Sequence, residues 1–417
     1  MAENADGLGP DATVVTELQI PFDPYDYQIH EDPYPTYQRL RTEAPIYHNV
    51  AQDFWALSRH DDVRAGFRDS TRLSNSWGVS IDPASYNENA HFAMSFLALD
   101  DPKHMRMRKL VSKGFTPKRI AELSGRITEL TRAHWNECLQ AKSFDYVHDF
   151  AGQLPMDVVS ELLGVPVADR AALRTASDLL VHRDEGVFDV PPEAVTAYLE
   201  LNGYYRELLA DRKQNRGDDL VSALIEAEMP GESGELTRLS DEEIIGFMIL
   251  MIVAGNETTT KLLANAMYWG WRHRDQLAIP LAEPARAPEW TEETLRYDNS
   301  TQMLLRRVLE DVQFRGVRIP AGDRVLLLLG AANRDPEVFD DPDEYRLGRD
   351  SSQAIVSFGM GTHFCLGAHL ARLEANIALT EIATSIQGFE IDMANARRVH
   401  SVNVRGFAEL PMEVTAR

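Results

Sequence analysis

A glycine-rich run around one cysteine constrains the fold of this 417-residue chain more than any other feature. The run reads FGMGTHFCLGAHLAR over residues 358–372, and it places Cys365 just before an apolar helix. Glycines permit tight turns and let a large flat group approach the backbone closely. The free N–H groups and the dipole at a helix start stabilise a thiolate. The run therefore indicates a thiolate presented as an axial ligand to haem iron.

Other interpretations of Cys365 explain less of this pattern. A lone cysteine is by default a buried structural residue, but such a residue does not need the surrounding glycines. A catalytic cysteine has to be exposed, whereas Phe358, Phe364 and Leu366 surround this one. A zinc site needs three or four closely spaced ligands, and His363 and Cys365 alone do not supply them.

Composition and charge exclude several classes of protein. The net charge of −23 argues against a nucleic-acid partner, because phosphate binding needs clustered cations. Two cysteines, Cys138 and Cys365, predict no disulfide framework and favour the cytoplasm. The first ten residues lack the pattern of a signal peptide. The longest apolar run, residues 244–255, has about 12 residues, which is short of the roughly 20 that span a bilayer. We expect a soluble cytoplasmic protein without a membrane anchor.

The hydrophobic pattern predicts a mainly α fold with a minor β region. Residues 1–27 read as an N-terminal surface segment and residues 28–417 as a single domain. The predicted elements follow the chain in this order: a hairpin over residues 46–58, helices over 119–215 with breaks at Pro155, Pro166 and Pro191-Pro192, a long helix from Ser240, a helix over 290–297, short strands over 312–329, and a last helix from just after Cys365 to about 386. Ser240 followed by Glu243 forms a capping box at the start of the long helix.

The middle of this long helix carries the run AGNETT over residues 254–259. Glycine and threonine are costly inside a helix, and Thr258 can bond back to the carbonyl one turn earlier. The small residues Ala254 and Gly255 leave room for a diatomic ligand above a flat cofactor. Glu257 beside Thr258 forms the acid–hydroxyl relay that O–O cleavage requires. The apolar stretch before them predicts that both residues border a buried cavity.

Two further patterns involve charged residues. Glu293 and Arg296, three residues apart, share one helix face and can pair; the apolar run that follows favours a buried structural pair over a surface one. Residues 103–119 contain seven Lys or Arg and no Asp or Glu. Within this stretch His104 and Arg108 can hold carboxylates from inside, while the other cations can dock an acidic protein from outside.

Taken together, these motifs resemble the cytochrome P450 family, specifically its soluble bacterial members. The cysteine run matches the family pattern F-G-x-G-x-H-x-C-x-G at every position. The acid–hydroxyl helix, the E-x-x-R helix, the H-x-x-x-R pair and Ala332-Asn333-Arg334-Asp335-Pro336 follow in the family's order. The resemblance covers nearly the whole chain and implies the fold of that family, with a haem between the long helix and the helix after Cys365.

The resemblance also implies roles for individual residues. The cofactor would be haem b, with Cys365 as the iron ligand and Glu257 and Thr258 delivering protons. Glu293 and Arg296 would form the structural pair, with Arg349 as a third member although the usual P-x-R-F reads Pro342-Asp343-Glu344-Tyr345. The other expected haem contacts are His104, Arg108, Ala254, Arg306, Phe358, His363 and Gly367. The expected pocket residues are Trp77, Phe92, Phe96, Phe247, Met251, Met303, Leu304, Val402 and Val404.

The implied activity is that of a monooxygenase. One atom of O2 would enter a hydrophobic substrate, of lipid, terpenoid, steroid or polyketide type, by hydroxylation or epoxidation. Because the chain has no flavin or iron–sulfur motif, electrons would come from a ferredoxin and its reductase, with the enzyme as a monomer. The rivals are an H2O2-dependent peroxygenase, which the complete Glu257–Thr258 pair argues against, and a non-catalytic haem binding or gas-sensing protein, which would need no relay.

Overall fold

The computed structural model describes residues 20–112, 115–230, 235–351 and 353–417. Helices dominate and strands are short, which confirms the predicted fold class. The helices are α1 (Tyr27–Glu31), α2 (Tyr34–Glu43), α3 (His60–Arg68), α4 (His91–Met94), α5 (Lys103–Val111), α6 (Pro117–Glu122), α7 (Ser124–Ala141), α8 (Gln153–Leu163), α9 (Arg170–Val181), α10 (Pro192–Gln214), α11 (Leu220–Glu226), α12 (Asp241–Arg272), α13 (Arg274–Ala282), α14 (Ala287–Tyr297), α15 (Leu329–Ala332) and α16 (Ala368–Ser385).

The strands form small sheets. They are β1 (Ile46–Asn49), β2 (Phe54–Leu57), β3 (Leu73–Ser74), β4 (Ser143–Asp145), β5 (Met229–Pro230), β6 (Leu236–Thr237), β7 (Met303–Val308), β8 (Val312–Phe314), β9 (Val317–Ile319), β10 (Arg324–Leu328), β11 (Ile386–Ile391), β12 (Arg397–Arg398), β13 (Phe407–Glu409) and β14 (Pro411–Ala416). The main sheet has the order β1-β2-β10-β7-β3 and is antiparallel except where β2 meets β10. The hairpin β1–β2 was predicted, whereas β7 was not.

The long helix α12 lies at the centre of the molecule. Its N-terminus has the predicted capping box: Ser240 N donates to Glu243 Oε2 at 2.8 Å and Glu243 N donates to Ser240 Oγ at 3.2 Å. These two bonds satisfy two backbone N–H groups, those of Ser240 and Glu243, which a helix start otherwise leaves without an acceptor. Helices α8, α9, α10, α14 and α16 pack around α12, so its middle is shielded from bulk solvent.

The N-terminal segment differs from the expectation. Ile20 and Phe22 are buried rather than on the surface, and they pack under the β1–β2 hairpin. Tyr47 Oη donates to Ile20 O at 3.0 Å, and Asn49 Nδ2 donates to Phe22 O at 3.1 Å. Two apolar side chains in a polar segment suffice to anchor it, because their burial removes apolar area from water. Residues 1–19 lie outside the described part of the chain.

The predicted break at Pro155 is also wrong. Pro155 is the third residue of α8, which continues to Leu163. A proline is tolerated in the first turn because the N–H that it lacks has no intrahelical acceptor there. Among the described residues, no helix is both long and apolar enough to cross a lipid bilayer.

Candidate active site

A cavity separates the middle of α12 from the cysteine run. Its wall includes Ala254, Gly255 and Thr258 from α12, and Phe358 and Cys365 from the run. The sides are completed by residues of β7 and of the loop before α5. The two motifs that the sequence separates by about a hundred positions therefore face one space.

The loop geometry explains how Cys365 is presented. The backbone N–H groups of Gly367 and Ala368 donate to its sulfur, and Cys365 N donates to Phe358 O at 2.9 Å. Gly361 has φ +68°, and a Cβ there would lie 2.9 Å from Phe67 O, so only glycine allows this approach. Burial raises the pKa of the Cys365 thiol, while these N–H groups and nearby arginines lower it. The loop thus aims one sulfur, already hydrogen-bonded at its back, into the cavity.

Four nitrogen-bearing side chains converge at one edge of the cavity. They are His104, Arg108, Arg306 and His363, and the rings of the two histidines lie 4.0 Å apart. His104 Nε2 and His363 Nδ1 are buried without a hydrogen-bond partner. Arg306 is 3% exposed and, within the described ranges, forms no ion pair; its Nη1 donates a 2.8 Å hydrogen bond to Leu305 O.

The electrostatics of this cluster point to an anionic occupant. Burial and the neighbouring cations lower the pKa of His363 to about 2, and burial lowers the pKa of Arg306 to about 10. A buried cation and unpartnered donors are costly unless an anion joins them. The propionate groups of haem are two such carboxylates on one edge of a flat ring. The residues present therefore fit haem, with donors at one edge and a sulfur on one face.

The two residues predicted to move protons face different ways. Thr258 lies in the cavity wall, where its Oγ1 donates a 2.7 Å hydrogen bond to Ala254 O. Glu257 is buried but lies outside the wall, with its Oε2 3.3 Å from Lys261 Nζ. Successive helix residues are turned by about 100° from each other, so neighbours in sequence need not share a surface. The expectation that Glu257 borders the cavity is wrong, whereas that for Thr258 is confirmed.

The predicted pocket residues divide into two groups. Phe96, Met251 and Leu304 lie in the cavity wall. The others lie outside it, and these are Trp77, Phe92, Phe247, Met303, Val402 and Val404.

Each residue outside the wall has a different environment. Met303 precedes Leu304 in β7, and consecutive strand residues face opposite sides; Met303 therefore packs with Val402 in a separate apolar cluster. Phe247 packs behind Phe96, with ring centroids 6.2 Å apart. The remaining three are also engaged elsewhere: the Arg307 guanidinium covers the Trp77 ring, Phe92 is half-exposed, and Val404 forms a β-bridge with Thr301.

Sequence reasoning missed several wall residues. Ser300 and Thr301 follow α14 and bring hydroxyl groups into the wall, and Ser300 Oγ donates to Thr258 O at 2.7 Å. The available signal was a departure from the family pattern: a proline often follows the E-x-x-R motif shortly, whereas residues 298–302 contain none. Glu374 of α16 also lies in the wall, is 3% exposed, and has no partner for its Oε2. Burial raises the pKa of Glu374 to about 8, so this carboxyl group is largely protonated at neutral pH.

The predicted Glu293–Arg296 pair is buried and bidentate. Arg296 donates to the two carboxylate oxygens of Glu293 at 2.7 and 2.9 Å, and both side chains are at most 1% exposed. Arg296 also donates to the carbonyl groups of Asn333, Pro342 and Glu344. Arg349 Nε lies 3.3 Å from Glu293 Oε1, so it is the third member although the P-x-R-F pattern is lost.

Comparisons with known proteins agree with this geometry. The sequence model of the family described as Cytochrome P450 matches residues 289–413. Cytochrome P450 123 of Mycobacterium tuberculosis is 56% identical over 403 residues, which cover 97% of this chain and 99% of the relative. The vitamin D(3) 25-hydroxylase of Pseudonocardia autotrophica is 34% identical over 394 residues, covering 93% and 95%. The structure of CYP109E1 from Bacillus megaterium in complex with testosterone has a TM-score of 0.84 and 31% identity, covering 93% and 99%.

The fold and the cavity define a haem enzyme of the monooxygenase class. The chain belongs to the cytochrome P450 family. Its cofactor is haem b, and its partners as a member of that family are a substrate, O2 and redox proteins.

Proposed function

We propose that this monooxygenase hydroxylates or epoxidises a hydrophobic small molecule of steroid size, with electrons from an external ferredoxin and its reductase. The observation that carries the proposal is the wall of the cavity between Cys365 and Thr258. Phe96, Met251 and Leu304 make this wall apolar, and burial of apolar surface is the main source of affinity for such substrates.

A few polar groups interrupt the apolar wall. Ser300 and Thr301 lie in it beside Thr258. A substrate with a largely hydrocarbon body and one or two oxygen atoms matches this combination, because isolated hydroxyl groups fix orientation within an apolar site. Vitamin D(3), named for one relative, and testosterone, bound to another, both have this chemistry. A terpenoid or polyketide with the same balance of apolar and polar surface fits the argument equally.

The haem would be held from two sides. We propose that Cys365 ligates the iron, with the N–H groups of Gly367 and Ala368 stabilising the thiolate. His104, Arg108, Arg306 and His363 would bind the propionates, whose charge offsets the cost of burying Arg306. The remaining expected contacts, Phe358, Ala254 and Gly367, all lie in the cavity wall. Bound haem supplies the redox-active iron at which O2 is activated.

The reaction consumes two electrons and two protons for each O2, since one oxygen atom enters the substrate and the other leaves as water. Thr258 Oγ1 is the hydroxyl of the predicted relay that lies in the cavity wall. We propose that Thr258 passes protons into the cavity and that Glu257, the preceding residue, holds the proton that Thr258 receives. Glu257 faces α9, whereas Thr258 faces the cavity. A movement of the Glu257 side chain or a water molecule must therefore connect the two groups during proton transfer.

We propose that the ferredoxin docks on the basic surface of α5 and α6. Lys103, Lys109, Lys118 and Arg119 are exposed there, while Lys113 lies outside the described residues. A groove beside Lys109 is lined by His104 and Arg108, so a partner in this position lies next to the haem edge. Opposite charge on the partner would speed its association. Reversing the charge of Lys109 and Lys113 should slow reduction by ferredoxin, whereas Lys142→Glu on an exposed loop should not. Equal reduction rates in all three proteins would contradict this docking site.

Two spectroscopic and kinetic measurements test the proposed function. A steroid and terpenoid library should contain compounds that shift the Soret band from low to high spin as they displace water from the iron. Those compounds should be oxygenated with O2, NAD(P)H and a ferredoxin system. Turnover at the same rate with H2O2 alone would instead establish a peroxygenase. Spectral binding of compounds without turnover in either system would establish a non-catalytic haem protein.

We also propose that residues 28–417 act as one domain, which residues 20–27 join through the buried Ile20 and Phe22, and that the protein is a monomer in the cytoplasm. Both cysteines are free, Cys138 in the core and Cys365 at the cavity, which suits a reducing compartment. Sedimentation of the holoprotein at one molecule per particle is the expected result.

A further inference from the structure

The surroundings of Glu257 contain a second carboxyl group that the reaction has not yet used. Asp178 of α9 lies beside Glu257, within hydrogen-bonding reach of its carboxyl group, where the neighbouring residues Ser177 and Asn256 also meet across the α9–α12 contact. On the other side of Glu257, Lys261 lies one helical turn further along α12, with its Nζ 3.3 Å from Glu257 Oε2. Two carboxyl groups and one ammonium group therefore form a cluster between α9 and α12.

Burial and the closeness of the two carboxyl groups favour protonation of one of them. Lys261 is 4% exposed and can neutralise only one buried carboxylate. The other nearby cation, Arg174, donates its hydrogen bonds to the carbonyl groups of Val147 and His148 and affects the two carboxyl groups through its charge. A second buried carboxylate beside Glu257 would be repelled by it, so one group takes up a proton.

The contact with Lys261 keeps the negative charge on Glu257, so protonation is favoured at Asp178. Burial and the charge of Glu257 raise the pKa of Asp178 to about 8, whereas Lys261 lowers the pKa of Glu257. The charged groups that face Asp178 are Glu257 and Lys261 from α12 and Arg174 from α9 itself. This arrangement favours a neutral Asp178 that donates a hydrogen bond to an ionised Glu257.

The two carboxyl groups also differ in exposure. Glu257 is 1% exposed, while Asp178 is only partly buried and keeps some contact with solvent. A group that meets water on one side and a buried carboxylate on the other is placed to carry protons inward. We infer that Asp178 is the solvent-side relay residue that supplies protons to Glu257.

The transfer conserves atoms and charge. The Asp178 O–H bond breaks as a new O–H bond forms on Glu257, which leaves Asp178 ionised and Glu257 neutral. Asp178 then takes a proton from water, and Glu257 passes its own proton to Thr258 Oγ1 as Thr258 releases its hydroxyl proton into the cavity. Asp178 acts only through Glu257, so it is a positioning and relay residue rather than a catalytic one. The inference rests on the relay role proposed for Glu257 and Thr258.

Infrared titration of the ferric holoenzyme tests the proton on Asp178 without any turnover. The C=O band of a protonated carboxyl group should disappear as the pH rises through about 8. Asp178→Asn should remove the component that belongs to Asp178. Glu374→Gln should keep it, because Glu374 titrates near the same pH but lies elsewhere, in the cavity wall. Retention of every carboxyl component in Asp178→Asn would overturn the inference.

The pH profile of substrate oxygenation tests the relay itself. Wild-type turnover should fall above pH 8 as Asp178 loses its proton. Asp178→Asn should be slower by about tenfold at pH 7, since proton donation by a positioned group is worth roughly 10²–10⁴ and water replaces it in part. The pH profile of Asp178→Asn should also lack the decrease in turnover near pH 8. Asp178→Glu should restore both features, and Glu193→Gln, an exposed carboxylate of α10, should change neither.

The outcomes separate this inference from the proposed function. If Glu257→Gln slows turnover while Asp178→Asn keeps the wild-type rate and pH profile, the Asp178 relay is overturned and the role of Glu257 stands. If Glu257→Gln itself leaves turnover unchanged, the proposed relay is overturned and the Asp178 relay with it.

Discussion

Arg296→Met is expected to destabilise the protein by about 3–5 kcal/mol, the usual cost of leaving one partner of a buried ion pair uncompensated. Glu293 would keep its charge in the interior with only Arg349, 3.3 Å away, as a cation. Three backbone carbonyl groups would lose their donors as well. Folded domains are stable by about 5–15 kcal/mol, so this loss is a large fraction of the total. Chemical denaturation of the holoprotein measures it.

Arg286 and Glu289 supply a matched control close by. They are also three residues apart and in contact at 2.7 Å, but the Arg286 side chain is 38% exposed. Arg286→Met should therefore cost less than about 1 kcal/mol. Replacing Glu293 and Arg296 together by leucine and methionine should recover part of the stability, because no buried charge is then left alone. Similar losses for Arg286→Met and Arg296→Met would contradict the assignment of a core pair.

Thr258→Ala and Glu257→Gln are expected to slow product formation roughly 100-fold, which lies at the lower end of the usual contribution of a positioned proton donor. Thr258→Ala removes the hydroxyl group of the relay in the cavity wall. Glu257→Gln removes the buried carboxyl group and leaves Lys261 without its counter-ion. Electrons should still be consumed, but they should appear in H2O2 rather than in product. The measurement is product and peroxide formed for each NAD(P)H oxidised.

Thr258→Ser is the control for this effect, because it keeps a hydroxyl group at the same place. It should retain most of the product yield. Substrate binding, followed by the spin-state shift, should remain close to wild type in all three variants, since each removes at most one methyl group from the apolar wall. If Thr258→Ala formed product as efficiently as the wild type, protons would have to reach the cavity by another route.

Local patterns were sufficient to predict the main supports of the site. The capping box at Ser240 and Glu243 predicted the start of α12, since both of its hydrogen bonds lie within four residues. The glycines around Cys365 predicted a tight loop before α16 for the same reason. The i,i+3 spacing of Glu293 and Arg296 predicted their contact, although the sequence could not show which backbone carbonyl groups Arg296 would bond.

Features that depend on distant elements could not be predicted. The side of α12 on which Glu257 lies depends on the helix rotation and on α9, which brings Asp178 from 79 positions earlier in the chain. The direction of Met303 depends on the register of β7 against β10, and a shift of one residue would have exchanged it with Leu304. Glu374 had a signal, an acid among the apolar residues of α16, but its position in the cavity wall required the packed fold.

The most direct test of the central claim is the absorption spectrum of the reduced CO complex, recorded for the wild type and for Cys365→His. The wild type should show the red-shifted Soret band of thiolate-ligated haem. The variant should bind haem through imidazole and show the spectrum of a histidine-ligated CO complex instead, because the sulfur that the loop aims into the cavity is gone. A thiolate-type spectrum that persists in Cys365→His would contradict the assignment of Cys365 as the iron ligand.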